Sequence, residues 1–278
     1  MANRRRRDVG DASEGHEGVA PQEHSGRIKV KRRRQETMAA TTMASAERKD
    51  ALLISLLTSV LRETPCLRID QFLPVDDAHE LLRELSGGLE YERVELGSMT
   101  RQWRAVRPVG DGYFGPMTRR QGWESTPTAR DALAYFDSAA FVDWLSGIAG
   151  EELEFLRPVT AYRLDRGDRI CLHDDMSDSG HAVSVAYNLS ADWLPGYGGA
   201  TVFGDVVSVT PVDAPWDCPI DLNRWEITNE RRFVPEFNSL MIMRLGTEFA
   251  HGVEEVTVDI PRFSLIGIYG RARPASFE

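Results

Sequence analysis

Cysteine is scarce in this chain. Cys66, Cys171 and Cys218 are the three in 278 residues, and no two have C-x-x-C spacing. An odd count without metal-site spacing excludes a disulfide framework and a structural zinc knot, and it points to a reducing, cytoplasmic setting. Long apolar runs are missing too. None approaches the roughly 20 residues needed to span a bilayer, so no membrane anchor is expected. The arginines near the start lead into no apolar segment, which excludes a secretory signal of ordinary form. Positive charge is in deficit: 33 Lys and Arg stand against 43 Asp and Glu, a net charge of -10. That balance argues against a surface that coats nucleic acid, while leaving room for a local cationic pocket. Residues 1–44 hold almost nothing apolar that folding could bury, so they read as a disordered basic tail with clusters at 4–7 and 29–34. Any contact with nucleic acid is expected through this tail alone, and its simplest reading is a solvated extension.

What is present is an ordinary globular composition, 42% apolar and 27% charged, and residues 45–278 read as one domain. Leu52, Leu53, Leu56, Leu57, Val60 and Leu61 recur at helical spacing. A second helix opens after Pro74 and ends at Gly87-Gly88, and two more are expected over 131–136 and 139–148. Short strands are expected at 67–73, 91–96 and 102–107. Beyond residue 156 the texture changes to eight short strands, at 159–164, 169–175, 182–189, 200–203, 232–235, 239–244, 252–258 and 262–269. Helices first and strands later make an α+β domain with a roll-like core and N-terminal supporting helices. The stretches 110–128, 177–180 and 206–231 read as loops, the last carrying Trp216, Cys218 and Trp225.

The chemistry concentrates in Asp168-Arg169-Ile170-Cys171-Leu172-His173-Asp174-Asp175. On a strand, His173 and Asp175 point to the same side, whereas Asp174 points away. An imidazole and a carboxylate aimed into a core need a partner, and a metal ion is one. His251, on a distant strand, completes a 2-His-1-carboxylate set that leaves three coordination positions open. Arg262 begins the final strand, and a buried guanidinium calls for an anion that it can grip bidentately. Ser264 shares its side and adds a hydroxyl. Tyr162 and Tyr187, on neighbouring strands, can each donate a phenol to the same anion. His181, in a Ser/Gly-rich stretch, reads as solvent-exposed, and His79 as a surface residue of the second helix.

These elements together resemble the prolyl-4-hydroxylase-like branch of the Fe(II)/2-oxoglutarate-dependent oxygenases. The resemblance covers about residues 156–271. It is carried by His173-x-Asp175, Tyr187-Asn188-Leu189, Trp193, Gly198-Gly199, Pro235-x-x-Asn238, His251-Gly252-Val253 and Arg262-x-Ser264. It departs from the family at Ala200, where an acidic residue is common, and in the length of 206–231. The resemblance implies a double-stranded β-helix, or jelly roll, of about eight antiparallel strands. It implies Fe(II) on His173, Asp175 and His251, 2-oxoglutarate on Arg262, Ser264, Tyr187 and Tyr162, and O2 as co-reactant, with release of succinate and CO2. Related halogenases carry Gly or Ala at the carboxylate position, so Asp175 favours hydroxylation. The substrate class left open is an amino acid, a small metabolite or a peptidyl residue such as proline. The rival reading is a cupin-like β-roll that binds metal or ligand without turnover. The pairing of Arg262 with Ser264 argues against it, because a metal store needs no carboxylate anchor.

Overall fold

Alternation and helical periodicity place most elements where the apolar residues require them. A computed structural model describes residues 51–96, 100–105, 126–175, 180–212 and 223–271. Among the described residues, four helices precede the roll: α1 (Ala51–Glu63), α2 (Val75–Gly87), α3 (Pro127–Phe136) and α4 (Ala139–Ala149). Leu57 and Leu61 of α1 lie in the apolar core, and Thr58 Oγ1 donates to Gly147 O of α4 at 2.9 Å. Ser138 caps α4 by accepting from Phe141 N, and Gly150 ends it at φ 71°, a left-handed conformation suited to glycine. Glu84 of α2 is buried, and its carboxylate accepts from Ala129 N at the first turn of α3 at 2.7 Å.

The described residues form eleven strands in two sheets: β1 (Cys66–Asp70), β2 (Tyr91–Leu96), β3 (Thr100–Ala105), β4 (Leu153–Leu164), β5 (Ile170–His173), β6 (His181–Asn188), β7 (Thr201–Pro211), β8 (Asn223–Phe233), β9 (Ser239–Arg244), β10 (Phe249–Val253) and β11 (Arg262–Arg271). The larger sheet runs β1-β9-β6-β11-β4-β3-β2 and the smaller runs β5-β10-β7-β8, with all the paired strands antiparallel. Strands β4 to β11 are the eight of the expected jelly roll, and the α+β class holds.

Strands β6, β9 and β11 of the larger sheet each serve two cores, as period-two alternation demands. Val183, Val185, Tyr187, Phe263, Leu265 and Tyr269 pack with the helices, around Phe72, Phe136 and Phe141. The alternate positions Ala186, Met241, Met243 and Ile266 face Phe203, Phe233 and Phe249 of the smaller sheet. The space between the sheets is therefore the roll's interior. Among the described residues, no helix is long and apolar enough to cross a membrane.

Two expectations are corrected here. Residues 206–231 are not a loop where they are described: β7 continues to Pro211 and β8 begins at Asn223, so Trp225 lies on a strand opposite Val209. The alternation of Val207 and Val209 with Ser208 and Thr210, and of Trp225 and Ile227 with Arg224, Glu226 and Thr228, carried this signal. Trp216 and Cys218 lie outside the described residues, as do the basic tail, 177–179 and most of the 110–128 stretch. His181 is not exposed: it is the first residue of β6 and is buried. His79 lies exposed on α2, with its ring stacked on Phe237 at 4.5 Å.

Candidate metal centre

Strands β5 and β10 set the centre. They pair antiparallel with His251 directly opposite His173, so both rings leave the sheet on one side. Gly252 makes the approach possible, since a Cβ there would sit 2.7 Å from Ile170 O. The ring centroids of His173 and His251 are 4.4 Å apart. Asp175 reaches both rings. Its Oδ1 is 3.3 Å from His173 Nε2, and its Oδ2 is 3.2 Å from His251 Nε2. One ligand atom from each of the three side chains lies within 4.8 Å of the others.

The carboxylate arrives there by a route that strand alternation does not describe. Strand β5 ends at His173, and Asp175 lies beyond it at φ 56°. His173 and Asp175 are therefore neighbours through this turn and not through the same-side alternation expected of a strand. Asp tolerates this left-handed conformation better than most residues. The turn is held from outside, because His181 Nδ1 pairs with the Asp175 backbone carbonyl. Asp174 is not part of the three-residue cluster.

Hydrogen bonding fixes the orientation of one ring. His173 Nδ1 lies 2.8 Å from Cys171 O. A carbonyl only accepts, so Nδ1 carries a proton, and Nε2 is the nitrogen that faces the centre and can offer its lone pair once its own proton is lost. The charges couple tightly. Burial pushes the His173 imidazole down, but the Asp175 charge and hydrogen bond outweigh it and hold the group at about 9. Burial likewise opposes ionisation of Asp175, yet the two imidazoles hold its carboxyl well below the usual range. Burial, then the His173 charge, lowers His251.

A divalent ion fits these residues. Neighbouring ligands about 2.1 Å from one octahedral ion stand about 3.0 Å apart. The carboxylate-to-imidazole separations of 3.2 and 3.3 Å need little adjustment to reach that. Two neutral-capable imidazoles and one carboxylate suit iron, and they cover one face of an octahedron.

Arg262 heads β11 and is 1% exposed. Its Nη2 donates to Asn188 Oδ1 at 3.1 Å and Thr201 Oγ1 at 3.3 Å. Nε and Nη1 are buried without a hydrogen-bond partner, and so is Oγ of Ser264. Burial pushes the guanidinium down to about 10. A cation and a hydroxyl left unsatisfied side by side make a cradle for an anion. Tyr162 lies opposite Ser264 on β4 and shares its face. Tyr187 does not. Its ring packs with Phe72 and Phe136 on the helix side, and its hydroxyl donates to Asn238 Oδ1 at 2.7 Å. Its neighbour Asn188 takes the inward place, one residue out of phase. Asn188 and Thr201 were missed from sequence. The small or polar run Ala182, Ser184, Ala186, Asn188, alternating with Val183, Val185, Tyr187 and Leu189, is the signal that finds the first.

Known proteins show the same frame. No family model and no curated protein matches the sequence. Solved structures do match in fold. A prolyl hydroxylase from Trichoplax adhaerens, in complex with a hypoxia inducible factor oxygen degradation domain peptide, superposes with a TM-score of 0.55 at 13% identity, over 81% of this chain and 91% of that one. A 2OG-Fe(II) oxygenase family oxidoreductase from Burkholderia pseudomallei gives 0.53 at 18% identity, over 80% and 92%. The non-heme alpha ketoglutarate dependent epimerase SnoN from nogalamycin biosynthesis gives 0.54 at 16% identity, over 82% and 88%. With its helices, its two-sheet roll and these neighbours, the chain has the fold of the 2OG-Fe(II) oxygenases, in the form that prolyl hydroxylases share.

Proposed function

We propose that the protein is an Fe(II)- and 2-oxoglutarate-dependent dioxygenase that hydroxylates an unactivated C–H bond of an amino acid, a small metabolite or a peptidyl residue. One observation carries the reading: a fully buried guanidinium with unpartnered donors faces the same interior as the His173, Asp175 and His251 cluster. A metal store has no use for such a group. A 2-oxo dicarboxylic acid chelating the metal at one end has a second carboxylate to place, and Arg262 meets it. Bound there, iron with 2-oxoglutarate supplies the oxidising chemistry, coupling decarboxylation to succinate and CO2 with transfer of an oxygen atom from O2 to the substrate.

The chain's own residues bind, orient and shield. Cys171 O fixes the His173 ring so that its Nε2 lone pair faces the ion. His181 holds the Asp175 turn. Asn188 and Thr201 hold the Arg262 fork in place, and Ser264 and Tyr162 face the same carboxylate position. Phe203, packed with Phe249 beneath the ligands, keeps water from the floor of the site. The carboxylate at position 175 fills a coordination place that a halide needs, which favours hydroxylation over halogenation. Among proteins of this fold, one binds a peptide and another binds nogalamycin RO, so the fold leaves both substrate sizes open.

The test is anaerobic titration with Fe(II) and 2-oxoglutarate, followed by the visible metal-to-ligand charge-transfer band. The band is expected for the wild type and lost in His173→Ala. A wild type that binds neither component removes the proposal. A protein that forms the band yet never yields succinate under O2, with any substrate, supports the non-catalytic β-roll.

A further inference from the structure

A transverse row of polar side chains crosses the larger sheet on its inner face, and it does not end at the cosubstrate cradle. Asn188 lies opposite Ser264, Ser264 opposite Tyr162, Tyr162 opposite Arg104 and Arg104 opposite Glu92. Directly opposed residues of an antiparallel ladder share a face, so all five point between the sheets. Neighbouring strands are about 4.8 Å apart, which puts Arg104 two strands, or about 10 Å, from Ser264. Strand β3 is also fastened to the metal-bearing strand. Thr100 Oγ1 accepts from Cys171 N and donates to Cys171 Sγ, both at 3.1 Å, and Arg101 and Arg169 exchange backbone hydrogen bonds. Thr100, Gln102 and Arg104 therefore form a rail that starts beside β5 and ends beside Tyr162.

The rail carries charges of both signs and an open acceptor. The Arg104 side chain is 9% exposed and meets Glu92, 33% exposed, at 2.7 Å. Gln102 Oε1 is buried with no hydrogen-bond partner. The rear of β3 is fixed by Trp103, which stands between the guanidinium groups of Arg93 at 5.2 Å and Arg163 at 5.8 Å. An ion pair whose cation is buried and whose carboxylate reaches solvent, next to an unsatisfied carbonyl oxygen, complements a ligand that carries both charges itself.

Resting on the oxygenase reading above, we propose that Arg104, Glu92 and Gln102 form a subsite for the backbone groups of a free amino acid. The α-carboxylate pairs with Arg104. The α-ammonium donates to Glu92 and Gln102 Oε1. The side chain then extends along the rail toward His173, Asp175 and His251. The zwitterion replaces the internal ion pair charge for charge, so opening that pair strands neither partner. Gln102 lies about 7 Å along the strand from Arg104, a gap that an amino acid's two charged ends can bridge from between.

The experiment uses the full chain loaded with Fe(II) and 2-oxoglutarate. Each proteinogenic L-amino acid is supplied in turn, with its methyl ester and N-acetyl derivative, and succinate is measured. At least one free amino acid is expected to raise succinate formation about 10-fold or more over background, with both derivatives inert, because each leaves a buried polar partner unmet. Arg104→Met is expected to raise the KM for that amino acid about 100-fold while shifting the Kd for 2-oxoglutarate less than about 2-fold, and Arg104→Lys to recover part of the loss. Gln102→Leu, which leaves the ion pair intact, is expected to raise the same KM about 10-fold and serves if Arg104→Met does not fold. A charge-transfer band that forms while no amino acid is consumed overturns the subsite and leaves the oxygenase reading standing. So does an ester or N-acetyl form that works equally well. Absence of the band overturns both.

Discussion

Replacing Arg262 by methionine separates a ligand anchor from a structural cation, because the two roles predict opposite signs for the stability of the ligand-free protein. The guanidinium is 1% exposed, and two of its nitrogens have no partner. Burial lowers its pKa from the ordinary value to about 10. At about 1.36 kcal/mol per pH unit, that drop is a penalty of roughly 3 kcal/mol borne by the charged form. The sign follows from the direction: a cation whose folded-state pKa is depressed destabilises the fold at every pH below about 10, so the penalty is complete at neutral pH. Methionine has a similar length and no charge. Its loss of the bonds to Asn188 and Thr201 costs about 1–3 kcal/mol, and the relieved desolvation offsets it. Urea unfolding of ligand-free Arg262→Met is therefore expected to give a stability equal to the wild type or up to about 2 kcal/mol higher. The Kd for 2-oxoglutarate, read from the charge-transfer titration, is expected to rise by about 2–4 kcal/mol, or roughly 30- to 1000-fold. A variant destabilised by several kcal/mol in the ligand-free state with an unchanged cosubstrate Kd would make Arg262 a structural residue and not an anchor.

Other outcomes follow from the same geometry. Metal uptake needs a neutral His173 ring, and in the ion-free protein that ring titrates at about 9. Binding of Co(II) or Fe(II) at pH 7–8 is thus expected to release about one proton, and the apparent affinity to rise with pH up to about 9; calorimetry in buffers of different ionisation enthalpy measures the count, and a count of zero would contradict the assignment. Gly252→Ala puts a Cβ 2.7 Å from Ile170 O, so β10 and β5 must part. A stability loss of about 1–3 kcal/mol and a weaker metal site are expected, and a metal affinity equal to wild type would show that the two strands can move apart without separating the ligands. Tyr187→Phe is expected to leave the Kd for 2-oxoglutarate unchanged and to cost about 1 kcal/mol in thermal or urea unfolding, through the lost bond to Asn238.

The sequence carries most of this site because its informative residues break the apolar rule at places where a core is expected. Arg262 in Pro261-Arg262-Phe263-Ser264-Leu265 stands out as a cation inside a strand buried on both sides. The His173-x-Asp175 and His251-Gly252-Val253 elements stand out as polar groups at inward positions. What the sequence hides is phase and depth. Tyr187 and Asn188 are adjacent, and only the register with β11 decides which of them meets Ser264. Strand β5 stops two residues before Asp175, because backbone dihedrals rather than side-chain pattern end it. His181 looks exposed among Ser and Gly, yet its burial depends on a contact with a backbone carbonyl six positions away, which leaves no trace in composition. The extent of β7 and β8 was obscured because their outer halves face solvent on both sides, so exposed Val207 and Val209 alternate with Ser208 and Thr210 without the burial that usually marks a strand.

The fastening of β3 to β5 bears on how the roll guards its weakest margin. Strand β5 has four residues and lies at the border of the smaller sheet, where its outward N–H and C=O groups would otherwise invite pairing with another chain. Thr100 Oγ1 takes the Cys171 N–H instead, and Arg101 pairs with Arg169 just before the strand begins. The N-terminal hairpin thus acts as a selvedge for the strand that carries His173. A chain trimmed to the eight-stranded roll would keep every ligand and still be prone to stick to its own copies along that seam.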